Sequence, residues 1–254
     1  LLVSSAASDV YKRQLYEKYL LSLNKVDYIV TVSDMAVKKY KFIYEVSNIG
    51  HVGNYSVIDS KKVKKTKSFY KDKLQLNYEP QVTIFNGGLN WSRNLKLLCS
   101  VFEELYSGSK NHLILLGSGE LYDFLNNRYR NSANIHIYPH VSQNEMLNWV
   151  CNSDFVVIPN ICMKDSFIES AYPNKLGDAI ELGKPLILNQ KFIFIKSLID
   201  KYHFGLYGDL ESKSGMKNAL KRVNNFSKKL DKRRWADLKN CLLYTSDAAD
   251  DTRS

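Results

Sequence analysis

Three short strings in this chain place glycine, arginine, lysine and aspartate where an anion would be held. The first is Gly87-Gly88-Leu89-Asn90-Trp91-Ser92-Arg93-Asn94. Paired glycines let a backbone turn tightly and approach a ligand, and Arg93 then offers a guanidinium able to grip a phosphate through two parallel hydrogen bonds. A plain strand-to-helix turn with a solvated arginine accounts for the same residues. The second is Gly117-Ser118-Gly119-Glu120, where a lone G-x-G fits a sterically tight turn at least as well as a ligand cradle. The third runs from Tyr172-Pro173-Asn174-Lys175 through Asp178 to Gly183-Lys184-Pro185. Pro173 suits a first helical position and Gly183 a helix stop. Lys175 and Asp178 are three apart and share a face. A helix N-terminus beside Lys175 is worth about 0.3 to 2 kcal/mol to a bound anion before the lysine is counted. Asp178, one turn deeper, suits ribose hydroxyls, and a diphosphate joined to a ribose is half of a nucleotide-sugar. An amphipathic surface helix with a minor Lys/Asp pair is the alternative.

The elements that must position these strings alternate regularly. Short runs apolar on both faces predict strands at 82–86, 112–116, 134–138, 155–158, 185–188 and 203–207. Between them, helices are expected to begin near Arg93, Glu120, Gln143, Asn174, Phe194 and Ser212. Six such units with brief connections predict an α/β, Rossmann-like doubly wound parallel sheet, whose ligands sit at the carboxyl ends of the strands. Upstream, the pattern predicts a helix at 15–24, a strand at 27–32, a helix at 33–41 with Ser33 as N-cap, and a short strand around 46–52.

Composition narrows the function classes. A hydrophobic fraction of 44% and a charged fraction of 24% describe an ordinary globular chain, and no apolar run approaches the length of a membrane span. Cys99, Cys151, Cys162 and Cys241 lie far apart without a C-x-x-C, and the five histidines follow no ligand spacing, so no metal site is expected and the thiols suit a reducing cytoplasm. The net charge of +10 points to an anionic partner. No nucleic-acid-binding signature accompanies it, so nucleic acid is not the expected partner.

GGLNWSRN, LILLGSGE, NIHIYPHVSQNEM, DFVVIPN and PNKLGDAIELGKPLI, in that order, resemble the nucleotide-sugar-binding half of GT-B glycosyltransferases of the bacterial "group 1", or family 4, type. The likeness covers roughly residues 80–235, and DYIVTVSDMAVKKY resembles the last strand–helix unit of that family's N-terminal, acceptor-binding domain. The resemblance implies sugar transfer from a nucleotide-diphosphate donor to an acceptor hydroxyl, usually with retention and without a metal or cofactor. It implies donor contacts from Gly87, Gly88, Arg93, Gly117, Gly119, His140, Val141, Pro173, Asn174, Lys175 and Asp178. Arg93 would meet the diphosphate, Asn174 and Lys175 would line it, Asp178 would bind ribose, and the backbone of Pro139, His140 and Val141 would meet the base. The sequence departs from the family twice: Gly88 stands where an arginine is frequent, and Ser170 where the first of two acids eight apart is expected. His51 and Tyr55 are the local candidates near the interdomain cleft, a structural histidine being the alternative.

The two ends differ from the rest. LLVSSAASDVYKRQ and CLLYTSDAADDTRS lack helical or strand periodicity and resemble translated sequencing-adapter tails, so natural sequence is expected from about Leu15 to Asn240, as a piece of a longer protein. The expected division is an artefactual tail at 1–14, the remnant of an acceptor domain at 15–58, a linker at 59–80, the nucleotide-sugar-binding domain at 81–240 and a second tail at 241–254. Residues 61–73 hold seven lysines. They suit a solvated linker, or a contact with anionic lipid where lipid-linked or glycan acceptors reside. A basic cluster at 228–234 followed by Trp235 resembles the family's terminal helix. The family likeness leaves a nucleotide-sugar epimerase of the same fold, or a non-catalytic anion-binding module, as alternatives to a polysaccharide or glycolipid glycosyltransferase.

Overall fold

The structure is a computed structural model that describes residues 15–16, 18–20, 26–52, 58, 63–160, 173–226 and 232–247. Its first unit pairs two short parallel strands, β1 (Ile29–Thr31) and β2 (Ile49–His51), around the helix α1 (Asp34–Tyr44). Ser33 caps α1 as expected, its hydroxyl accepting from the Ala36 amide at 3.2 Å. The helix runs one turn further than residue 41 and stops where Glu45 turns left-handed.

The second unit is a six-stranded parallel sheet in the order β5-β4-β3-β6-β7-β8. Its strands are β3 (Gln81–Asn86), β4 (Asn111–Leu116), β5 (Ile135–Tyr138), β6 (Phe155–Ile158), β7 (Leu186–Asn189) and β8 (Gly205–Gly208). They lie within two residues of the expected positions. The strands bury side chains on both faces because helices cover both. Ile84, Ile114, Val156 and Leu186 face α5 (Gln143–Asn152), α6 (Asn174–Glu181) and α7 (Ile193–Tyr202). Phe85, Leu113, Val157 and Ile187 face α3 (Leu95–Tyr106), α4 (Tyr122–Tyr129) and α8 (Lys213–Val223). Each such side chain, fully withdrawn from water, stabilises the fold by about 1.5 to 3 kcal/mol before entropy is counted. Strand order reverses direction between β3 and β6, which makes their carboxyl ends the topological switch point.

Two expectations change. In the stretch read as a linker, the described part from residue 63 onward is tied to the sheet domain. The Lys64 and Thr66 amides donate to the Asn148 and Asn152 side chains of α5. A short helix, α2 (Phe69–Lys73), sets Tyr70 into the core, its hydroxyl donating to the Trp149 carbonyl at 2.6 Å. The lysine-dense composition masked two aromatic anchors. At the other end, α9 (Lys232–Asp247) runs seven residues beyond Asn240, into the string read as lacking periodicity. Once nucleated, a helix adds residues at little cost, so a weakly patterned string can extend it. The same helix packs on α6 and α7 through buried Leu238 and through Trp235, whose ring meets Phe204 at 5.8 Å.

Candidate functional site

The chemistry gathers at the switch point. Gly87 follows β3 with φ 132°, and a Cβ on it would stand 2.7 Å from Lys175 Nζ. Glycine is therefore required here both for the turn and for the close approach of the lysine. Lys175, in the first turn of α6, lays its ammonium 4.9 Å from the centre of the Phe85 ring. Two distant strings, one after β3 and one after β6, thus meet at a single point.

Arg93 closes a single 3-10 turn, Trp91–Arg93, and Asn94 follows in the left-handed region. That break moves the start of α3 from the expected Arg93 to Leu95. Asn94 is held by its side-chain amide, which donates to the Leu210 carbonyl at 2.7 Å. Arg93 is half-buried, and its buried Nε has no protein hydrogen-bond partner. Burial lowers the guanidinium pKa, although arginine stays charged at any working pH.

The charge balance favours an anion. Burial and then the neighbouring Arg93 cation push the Lys175 ammonium down to about 8, against a smaller upward pull from Asp178. Among the described residues no ion pair joins Arg93 or Lys175 to a carboxylate. Two like charges converging beside a helix N-terminus are relieved by a bound phosphate. Asp178 is buried inside α6, 8% exposed, so a hydroxyl reaching it has to enter the crevice. Pro173 is the N-cap rather than the first helical residue, because its ψ of 136° is extended; Asn174 starts the helix and is exposed.

Gly117 and Gly119 have a different role from Gly87. A Cβ on Gly117 would overlap the Gly87 carbonyl, and one on Gly119 would lie 2.6 Å from the Leu89 carbonyl. The space their missing side chains leave is filled by the first turn, not by an opening for ligand. The two turns are also sewn together, Leu89 N donating to Ser118 O at 2.8 Å and Leu121 N to Leu89 O at 2.9 Å. Gly88 has no left-handed φ, and a Cβ there would meet only the Asn90 side chain, at 3.2 Å. Val141 packs into the core, whereas His140 is exposed, which leaves only backbone of that loop for a base. His51 lies in the first unit, bonded through Nδ1 to Asp34 Oδ1 at 3.1 Å. Tyr55 and Ser170 lie outside the described residues.

Sequence reasoning missed a second cluster at the same end of the sheet. Asn189, fully buried at the end of β7, donates from Nδ2 to the Asn160 carbonyl (2.8 Å) and to Glu211 Oε1 (3.0 Å). Lys191 pairs with Glu211 Oε2 at 2.7 Å. Its members come from the ends of β6, β7 and β8. The only local signal was the polar residue closing the apolar run LILN.

No protein-family model and no curated protein sequence matches the chain. Solved structures do. Sucrose-phosphate synthase from Thermosynechococcus elongatus superposes with a TM-score of 0.71 at 13% identity, over 98% of this chain and 64% of that one. A glycosyltransferase from Rickettsia africae ESF-5 gives 0.62 at 11% identity, over 86% and 60%. The lipopolysaccharide outer core galactosyltransferase WaaB gives 0.61 at 15% identity, over 89% and 61%. The chain thus spans less than two thirds of the length of each.

Proposed function

We propose that this chain, which has the GT-B glycosyltransferase fold, is the donor-binding part of an enzyme that transfers a sugar from a nucleotide-diphosphate donor to an acceptor hydroxyl. The observation that carries this reading is the meeting of Lys175 with Gly87 beside Arg93, at the switch point and the start of α6. When the bond from the sugar C1 to the diphosphate breaks, negative charge builds on the departing nucleoside diphosphate. Arg93, Lys175 and the α6 dipole stand ready to stabilise it without reorganising. Two side-chain cations fill the role that a divalent ion plays elsewhere, so the reading needs neither metal nor cofactor. Asp178 takes ribose hydroxyls, and the 139–141 backbone takes the base.

The reading extends to a retaining enzyme of family 4 type acting in the bacterial cytoplasm on a polysaccharide or glycolipid acceptor. The lipopolysaccharide galactosyltransferase among the structural neighbours supports that acceptor class. Lys64, Lys65 and Lys67 are exposed, and each is worth about 1 kcal/mol near an anionic lipid surface, which favours a peripheral membrane contact. No helix among the described residues is long and apolar enough to cross a membrane.

Titration calorimetry of the 254-residue chain with UDP, GDP and their sugar conjugates tests the donor site. Saturable binding to one nucleotide is expected, weakened about ten- to a hundredfold in Arg93→Ala and Lys175→Ala, as for a lost charged hydrogen bond. A folded chain that binds none of them, or variants that bind like the parent, would refute the assignment.

A further inference from the structure

The amino ends of the strands carry chemistry that the donor site leaves unused. An open cavity of about 470 Å³ lies there, between residues 66–70 and the starts of β3, β4 and β6. That volume falls within the roughly 300 to 1,000 Å³ of small-molecule sites. Its wall includes Gln81, the first residue of β3, with Lys110 and Asp154, which immediately precede β4 and β6. Gly87, beyond the other end of β3, is about 20 Å away at about 3.3 Å per residue. A ligand in this cavity is therefore not the group that Arg93 and Lys175 face.

The side chains of the wall decide what fits. Lys67 and Lys110 supply donors, Glu79 acceptors and Gln81 both. Among the described residues none of these four side chains has a hydrogen-bond or ion-pair partner; Lys110 only leans over the Tyr78 ring at 5.7 Å. Asp154 is engaged by the Val82 amide at 2.7 Å and contributes mainly its charge. Two lysines against two carboxylates leave the wall without net formal charge. A phosphate only accepts and a metal ion takes only lone pairs, so either would leave half of these groups unused. A sugar hydroxyl donates and accepts, so a neutral polyol can use them all. A nucleobase keeps its polar atoms in one plane, whereas these groups come from three separate stretches of chain. The Phe69 ring completes the wall, fixed by T-shaped contacts with Tyr70 at 5.0 Å and Trp149 at 5.7 Å. A ring already held in place can support the apolar face of a pyranose at little ordering cost.

We propose that this cavity binds a neutral sugar, as a holding site for glycan remote from the donor site. The inference goes beyond the donor reading and does not rest on it. Because one wall comes from residues 66–70 and the other from the sheet, a bound sugar also pins that segment to the sheet and raises the melting temperature.

The test titrates the full chain with glucose, galactose, mannose, N-acetylglucosamine, maltose and lactose, followed by ¹H–¹⁵N correlation spectra. At least one of them should saturate in the millimolar range, shifting the amides of Lys67, Gln81 and Lys110 and leaving those of Gly87 and Lys175 in place. Glu79→Gln is nearly isosteric and Lys110→Met keeps the stem of the side chain, and thermal melts show that each is folded. Each should weaken the sugar about tenfold, as for a lost charged hydrogen bond, whereas Lys175→Ala should bind it like the parent. The inference is overturned if no sugar saturates, if the shifts fall at the carboxyl ends of the strands instead, or if Glu79→Gln and Lys110→Met both bind like the parent. Inorganic phosphate or uridine binding at these residues more tightly than every sugar overturns it as well. None of these outcomes bears on the donor site, which the nucleotide titration tests separately.

Discussion

Raising the pH from 7 to 9 should strip most of the charge from Lys175 while leaving Arg93 intact. With the ammonium at about 8, roughly nine-tenths of the lysines are charged at pH 7 and roughly one-tenth at pH 9. A bound diphosphate adds the counter-charge that the apo site lacks, so the lysine pKa rises on binding and donor binding takes up a proton. The sign follows: affinity is full below the apo pKa and falls as pH rises through it. Between pH 7 and 9 the nucleotide dissociation constant should rise about tenfold, steepening toward a decade per pH unit above 8. The diphosphate is fully ionised over most of this window, so the ligand contributes little. Calorimetry in two buffers of different ionisation enthalpy reads the proton uptake directly. Lys175→Met should bind weakly at pH 7 and lose the pH dependence. A flat affinity from pH 7 to 9 in the parent, or an equal slope in Lys175→Met, would refute the convergence of the two cations on the ligand.

Three further outcomes are expected. Gly88→Arg should fold normally, because the position has no left-handed φ and its Cβ meets only the Asn90 side chain; by adding a guanidinium to the turn it should tighten nucleotide binding about tenfold in the same titration. Acid should destabilise the sheet domain through His112 and His136, stacked on adjacent strands with Nδ1 of the first 3.0 Å from Nε2 of the second. Burial lowers both, and His136, further lowered by His112, falls to about 4. The unfolded chain therefore takes protons first, and stability is lost as pH falls from about 6.5 toward 4; urea unfolding should show a loss of about 2 kcal/mol between pH 7.5 and 5 from His136 alone. Tyr70→Phe should cost about 1 to 2 kcal/mol in the same assay by leaving the buried Trp149 carbonyl unpaired, whereas a free linker would show no change.

The sheet was legible because its strands are apolar on both faces, a pattern that short buried parallel strands impose and little else does. The candidate residues could be picked out by type at the strand ends, Gly87 and Arg93 in the turn after β3 and Lys175 in the first turn of α6. What the chain order does not carry is distance: Lys175 reaches Gly87 only because β6 lies next to β3 in the sheet. The same holds for His112 and His136, brought together by β4 and β5, and for Glu211, Asn189 and Asn160, gathered at the ends of three neighbouring strands. Averaging misled the reading of residues 63–80, where Phe69 and Tyr70 outweigh the lysines around them by meeting Trp149 at 5.7 and 5.8 Å. At α3 a single left-handed asparagine displaced the helix start, a backbone choice that the residue type permits but does not dictate.

The interlocking of the turns after β3 and β4 has an evolutionary and engineering consequence. Because Gly117 and Gly119 are shaped by the carbonyls of Gly87 and Leu89, neither loop can drift alone. Across descendants of this chain the two loops should change in concert, as one inherited module. Anyone grafting either turn from a protein of similar fold onto this scaffold would have to move both loops together, since either one grafted singly would arrive against a neighbour moulded to its predecessor.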